Sequence, residues 1–153
     1  MCGICGEMRF DGVAVEMSRL DHMNSRLVKR GPDHAGLLVD GSTGFGHRRL
    51  SVIDLSEKSH QPMVDEDLDL VLVFNGAIYN YRELRAELRE KGYSFFSDGD
   101  SEVILKAWHE WGERCPEHLH GMFAFVIWDR KRQCCFMARD RFGIKPLYYS
   151  PDE

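Results

Sequence analysis

Two near-continuous apolar runs limit what this chain can fold into. Leu68, Leu70, Val71, Leu72, Val73 and Phe74 form one, and Gly121-Met122-Phe123-Ala124-Phe125-Val126-Ile127-Trp128 forms the other. Strands with one wet face alternate apolar and polar residues, whereas strands covered on both faces read as unbroken apolar stretches. Both runs are therefore expected to be buried strands. The length of 153 residues suits one domain, and a hydrophobic fraction of 43% suits a packed core. A formal net charge of -5 argues against nucleic acid or an anionic membrane as the main partner. Nothing approaches a membrane-spanning run. Five cysteines behind no recognisable signal peptide point to a reducing, cytoplasmic setting rather than a disulfide framework.

Around these runs the smaller elements can be placed. Gly6 to Phe10 reads as a strand turned by Asp11-Gly12, and Val15, Leu20, Met23, Leu27 and Val28 recur at helical spacing up to the stop at Gly31-Pro32. Ala35–Asp40 and Phe45–Leu50 flank Gly41-Ser42-Thr43-Gly44 as a hairpin. Asn80 and Glu83 have capping-box spacing at the start of a helix that ends at Gly92. Tyr93–Phe96 and Pro146–Tyr149 read as short strands, and Asp98-Gly99-Asp100-Ser101-Glu102 as an acidic loop opening a further helix. Arg130 to Gln133 turns the second apolar run back into Cys134–Asp140.

Three places carry chemistry. Cys2 stands directly behind the initiator Met and is followed by Gly3. Excision of Met before so small a residue puts a thiol and a free α-amine on one residue. An α-amine titrates near ~7.7–8.0 and a free thiol near ~8.5, and an N-terminal amine can activate its own side chain as a nucleophile. The alternative for Cys2 and Cys5 is a C-x-x-C zinc or redox pair. Zinc needs a second ligand pair, and neighbouring Cys134 and Cys135 point to opposite faces of a strand. The buried run ends at Asn75-Gly76, a hairpin signal; yet a helix follows instead of a partner strand, so an amide side chain and an unhindered Gly N–H converge as oxyanion donors. Asp100 is either a helix cap or an acid for a substrate ammonium. Of Arg48 and Arg49, adjacent on a strand, one is expected to face a pocket. The cluster Cys115, His118, His120 lacks further metal ligands.

Taken together, Met1-Cys2-Gly3-Ile4, Arg30-Gly31-Pro32-Asp33, Gly46-His47-Arg48-Arg49-Leu50-Ser51, Asn75-Gly76-Ala77-Ile78-Tyr79-Asn80 and Gly99-Asp100-Ser101-Glu102-Val103-Ile104 resemble, in order, the class II glutamine amidotransferase domain of asparagine synthetases. Gly121–Phe125 and Arg139-Asp140-Arg141-Phe142-Gly143-Ile144-Lys145-Pro146-Leu147-Tyr148-Tyr149 complete the set. The resemblance implies an α+β fold of the N-terminal-nucleophile hydrolase type, an αββα sandwich of two antiparallel sheets between helix layers. It implies that Cys2 attacks the side-chain amide of L-glutamine, with Asn75 and the Gly76 N–H holding the oxyanion. Arg49 would clamp the α-carboxylate while Arg48 faces away, Asp100 would take the α-ammonium, and backbone from Leu50 through Val52 to Ile53 would complete the pocket.

Two departures from the pattern stand out. Ala77 occupies a position where asparagine synthetases usually carry Glu beside the α-ammonium. That small residue, with Tyr81–Leu88 and Trp111–Cys115, is more similar to a branch that amidates N-acetylglutaminylglutamine. The family domain also continues into an ATP-using synthetase domain, so residues 1–153 are expected to be a glutaminase domain incomplete at its C-terminus, without metal or cofactor of its own; ATP and Mg belong to the synthetase part. An exposed sheet edge left by missing strands favours a homodimer. An N-terminal Cys acylase for another amide, and a non-catalytic regulatory or assembly domain, remain as alternatives.

Overall fold

The computed structural model describes residues 1–151. Seven strands and four α-helices follow in the order β1 (Gly3–Met8), α1 (Met17–Ser25), β2 (His34–Asp40), β3 (Thr43–Arg49), β4 (Met63–Asp65), β5 (Leu70–Ile78), α2 (Tyr81–Glu90), α3 (Asp100–Trp111), α4 (Cys115–His118), β6 (Gly121–Asp129) and β7 (Cys134–Arg139). The strands form two antiparallel sheets, one ordered β1-β3-β2 and one ordered β4-β5-β6-β7.

The apolar runs explain the layering. Along β5, Leu70, Leu72, Phe74 and Ile78 belong to a core shared with α2 and α3, through Leu84, Leu88, Ile104 and Trp108. The alternate residues Val71 and Val73 join Phe45 and Trp128 in a second core, lined also by Ile4, Met8 and Leu38 of the first sheet. One strand thus serves two cores because neighbouring side chains leave opposite faces. On the far side of the first sheet, α1 packs against β1, β2 and β3. Helix, sheet, sheet and helices therefore stack in four layers, as the αββα expectation requires, and both long apolar runs are central strands.

Several local expectations differ from the structure. The helix expected across Val15–Val28 is shorter, Met17–Ser25, and continues as turns. Tyr93–Phe96 is not a strand: the N–H groups of Phe96 and Ser97 donate to the buried Glu102 carboxylate at 2.7–3.1 Å, so no ladder partner is needed. Pro146–Tyr149 is also irregular. The Asn80–Glu83 capping box is absent, although Asn80 is the N-cap of α2. Its amide instead donates to His118 O at 3.0 Å and accepts from His120 N–H at 2.9 Å, tying α4 to the start of β6. Finally, β5 does not stop at Asn75-Gly76 but runs through it to Ile78, paired with β6 throughout.

Candidate active site

The two sheets part at one end around a cavity of about 170 Å³. Cys2, Arg49, Leu50, Val52, Ile53, Asn75, Gly76, Ala77 and Asp100 all line it, so the structure brings together the residues that the resemblance implies for a glutamine pocket. Strand alternation does most of this. Asn75 follows Val71 and Val73 on the face of β5 turned to the first sheet, and Arg49 follows Phe45 and His47 on the matching face of β3. Arg48 leaves the opposite face, where its Nε donates to Asn24 O of α1 at 3.2 Å. The same rule separates Cys2 from Cys5. Cys5 lies beneath α1 against Gly46 and Asn24, where burial pushes its thiol up to about 11, while Cys2 faces the cavity. The C-x-x-C pair therefore does not converge, and among the described residues no group of three His, Cys, Asp or Glu is placed to hold a metal ion.

Cys2 is held at its sulfur and at its backbone. The Leu50 N–H points at Sγ from 3.4 Å, and Arg30 Nε donates to the Cys2 carbonyl at 3.2 Å. The Asp33 carboxylate accepts the Ser51 N–H at 2.8 Å, so the Arg30–Asp33 segment positions both the thiol and the wall beside it.

The edge of β5 that faces away from β6 supplies the next part. β4 covers that edge only as far as the Met63–Leu72 pair. Beyond it, the backbone of alternate residues Phe74, Gly76 and Ile78 emerges at the same edge. Gln61 Oε1 accepts the Phe74 N–H at 2.6 Å, and Asp100 Oδ2 accepts the Ile78 N–H at 2.9 Å. The Gly76 N–H lies between them, at the cavity. Glycine is required there by close approach: a Cβ at residue 76 would run into the Met122 carbonyl and lie 2.8 Å from Phe123 Cα.

Asp100 is the first residue of α3, after the cap Gly99, and is only 5% exposed. Burial raises its pKa, opposed by the Ile78 N–H, by backbone N–H groups at the start of α3 and by Arg85. Arg85, itself buried, donates to Ser97 O and Gly99 O at 2.5 and 2.6 Å and stacks over Phe95, which fixes the approach to α3. Arg49 is buried as well and donates to the carbonyls of Ser56, at 2.9 Å, and of Asp54. A guanidinium has five N–H donors, so three remain, and among the described residues Arg49 has no carboxylate partner. Asp54 steadies this loop by accepting from Ser56 N–H, Ser59 Oγ and Asp98 N–H. Burial would raise the Asp54 carboxyl, but these bonds hold it well below the usual range.

Sequence reasoning missed Gln61, Ser59, Ser101, Met122 and Lys145, which also line the cavity. Lys145 is buried with its Nζ 3.0 Å from Met1 Sδ. It is brought there by Asp140, whose carboxylate accepts the backbone N–H groups of Phe123, Phe142, Ile144 and Lys145 at 2.9–3.2 Å. The Arg139–Tyr149 motif is the visible signal for that turn. His47, fully buried behind the site, places Nε2 3.1 Å from Phe74 O. A carbonyl only accepts, so Nε2 carries the proton and Nδ1 has no partner.

Burial lowers the His47 pKa from 6.5 to about 4, against the bond to Phe74 that favours the charged form. The unfolded chain therefore takes up this proton from about pH 6.5 downward, while the folded chain resists it until about pH 4. Stability from this residue is complete above 6.5 and is lost as pH falls toward 4, by about 3 kcal/mol at 1.36 kcal/mol per pH unit. In urea titrations, the stability gap between wild type and His47→Gln should shrink by that order from pH 7 to pH 4. A constant gap would refute the assignment.

An α+β sandwich with a thiol, an exposed backbone N–H beside an asparagine, an arginine and a buried carboxylate around one small cavity has the parts of an amide-cleaving thiol enzyme. Residues 1–153 match the family described as the glutamine amidotransferase domain, and the chain belongs to that family. It is 45% identical to asparagine synthetase [glutamine-hydrolyzing] 1 of Bacillus subtilis (strain 168) over 98% of this chain and 24% of that protein. It is 42% identical to asparagine synthetase [glutamine-hydrolyzing] 3 of the same organism, over 99% of this chain and 25% of the relative. A putative asparagine synthetase [glutamine-hydrolyzing] 2 of Methanocaldococcus jannaschii is 41% identical over 97% of this chain and 32% of its own length. The chain thus spans about a quarter to a third of these relatives. Among solved structures, glutamine phosphoribosylpyrophosphate amidotransferase from B. subtilis aligns over 58% of this chain and 21% of its own, with TM-score 0.48 and 24% identity.

Proposed function

We propose that this domain hydrolyses the side-chain amide of L-glutamine through a Cys2 thioester and supplies the ammonia to an ATP-dependent amide-forming synthetase. The reading rests on one observation: Cys2, the Gly76 edge of β5, Arg49 and Asp100 surround a single cavity of about 170 Å³, a size for an amino acid rather than a peptide. With Met1 removed, the α-amine of Cys2 takes the thiol proton and the sulfur adds to the amide carbon. The oxygen becomes an oxyanion between the Asn75 amide and the Gly76 N–H. The C–N bond breaks as nitrogen accepts a proton and leaves as ammonia. Water then adds to the thioester, releasing glutamate and restoring the thiol. Arg49 pairs with the α-carboxylate through its remaining donors, and Asp100 pairs with the α-ammonium. With Ala77 beside it, Asp100 is the carboxylate on which that ammonium depends. Ala77, together with Tyr81–Leu88 and Trp111–Cys115, resembles the branch that amidates N-acetylglutaminylglutamine, and on that similarity alone this compound is the ammonia acceptor proposed for the whole enzyme.

The direct test is intact mass before and after treatment with 6-diazo-5-oxo-norleucine, a glutamine analogue that alkylates the nucleophile. Loss of Met1 and a single adduct on Cys2, blocked by glutamine, is expected. A mature Cys2 that never labels would reject the reading in favour of a non-catalytic domain. Asp100 gives a second expectation. Its charge-assisted bond is worth about 1.5–3 kcal/mol, so Asp100→Asn should raise KM for glutamine roughly 10- to 100-fold with little change in kcat. Because the raised pKa makes Asp100 lose its charge at higher pH than an ordinary carboxylate, wild-type KM should climb on acidification. The Asn variant should lack that rise.

A further inference from the structure

The cavity contains a buried amide that none of these steps uses. Gln61 is 5% exposed and lines the cavity. Its backbone is seated against β2 at Gly36, where a Cβ would collide with the Gln61 carbonyl. The amide has only one consistent orientation. The Phe74 N–H can only donate, so Oε1 faces it at 2.6 Å, and Nε2 must donate to Ser101 Oγ, 3.3 Å away. Ser101 is then an acceptor toward Gln61 and keeps its own hydroxyl hydrogen for another partner in the cavity it lines. One side chain therefore joins the residue before Asn75-Gly76 to the residue after Asp100, two segments that belong to different elements, β5 and α3.

We infer that Gln61 is a positioning residue: it sets the distance between the oxyanion donors on β5 and the ammonium-binding end of α3, and it orients the Ser101 hydroxyl toward substrate. The inference rests on the reading of the cavity as a glutamine site. An uncoupled plug for the open β5 edge would need only Oε1. The second bond, to Ser101, is what makes the amide a spacer between two halves of one ligand site.

The amide pattern can be switched by pH in a single variant. In Gln61→Glu, the protonated carboxyl offers one C=O to Phe74 and one O–H to Ser101, reproducing the native pattern. The ionised form still accepts from Phe74 but cannot donate, so the Ser101 hydroxyl must turn toward it and away from the cavity. Glutamate release from the mature protein is measured between pH 5.5 and 8 for wild type and variant. The wild-type-to-variant ratio of kcat/KM is expected to rise about tenfold across that range, the order of one hydrogen bond to a charged group. Adding Ser101→Ala should abolish the pH dependence of that ratio, since the hydroxyl reports it. Gln61→Leu, which loses both bonds, should lower kcat at least about tenfold at every pH; should it fail to fold in thermal melts, the Glu variant alone decides. A flat ratio for Gln61→Glu, or a pH dependence that survives Ser101→Ala, overturns the inference while leaving the glutamine reading intact. A mature wild-type protein that releases no glutamate overturns both.

Discussion

Glutamate release should fall to background in Cys2→Ala, and equally in a protein that keeps Met1. The two variants test different atoms. Removing the sulfur removes the nucleophile, and losses of about 10⁶-fold in kcat are typical where a covalent nucleophile acts with its base as one unit. Keeping Met1 leaves the sulfur in place but locks the α-nitrogen in a peptide bond, so the base is lost. It also leaves the Met1 side chain in the cavity, with its sulfur against Lys145 Nζ at 3.0 Å. A chain extended at its N-terminus by residues that resist removal provides this second variant. If that extended protein hydrolyses glutamine at the mature rate, the α-amine is not the base. If Cys2→Ala retains measurable turnover, the thioester mechanism itself is wrong.

The second large effect is expected at Asn75. The Asn75 side chain leaves β5 on the face turned to Cys2, and its neighbour Gly76 presents a backbone N–H at the same place. Loss of one oxyanion donor typically costs about 10²–10³ in kcat, so Asn75→Ala should lower kcat by that factor while KM for glutamine changes little. The groups proposed to hold the α-carboxylate and α-ammonium, Arg49 and Asp100, lie elsewhere in the cavity lining. A variant with a raised KM and native kcat would place Asn75 in substrate binding rather than in stabilising the oxyanion. Gly76 is a poorer probe, because any side chain there meets the Met122 carbonyl and disturbs the β5–β6 pair as well as the site.

Much of this candidate site is legible in the sequence. Cys2 is marked by its place behind Met1, Asn75-Gly76 by the abrupt end of an apolar run, and Asp100 by its place at a helix start. Each signal is local, and each comes from a residue type whose chemistry or backbone preference is distinctive within a few positions. That only one of Arg48 and Arg49 faces the cavity follows from local rules, since adjacent strand residues face opposite ways; which one it is came from the family resemblance, and the contact of Arg48 with Asn24 on α1 agrees with it. The buried strands β5 and β6 were visible for the same reason, as unbroken apolar stretches.

Other features were decided only in three dimensions. Tyr93–Phe96 has strand-like residues, yet the Glu102 carboxylate from the next helix takes the N–H groups that a strand would have paired. Asn80 has the spacing of a capping box, yet its amide is claimed by His118 and His120, far along the chain. Gln61 lies in a polar loop that no periodicity distinguishes; only the end of β4 at Met63 leaves the Phe74 N–H open for it. Local sequence determined which residues can be strand, helix start, nucleophile or turn, because those preferences act over a few bonds. Tertiary structure decided which polar group satisfies which backbone donor, because burial makes every unpaired N–H costly and the cheapest partner is often one that the chain brings in from dozens of residues away.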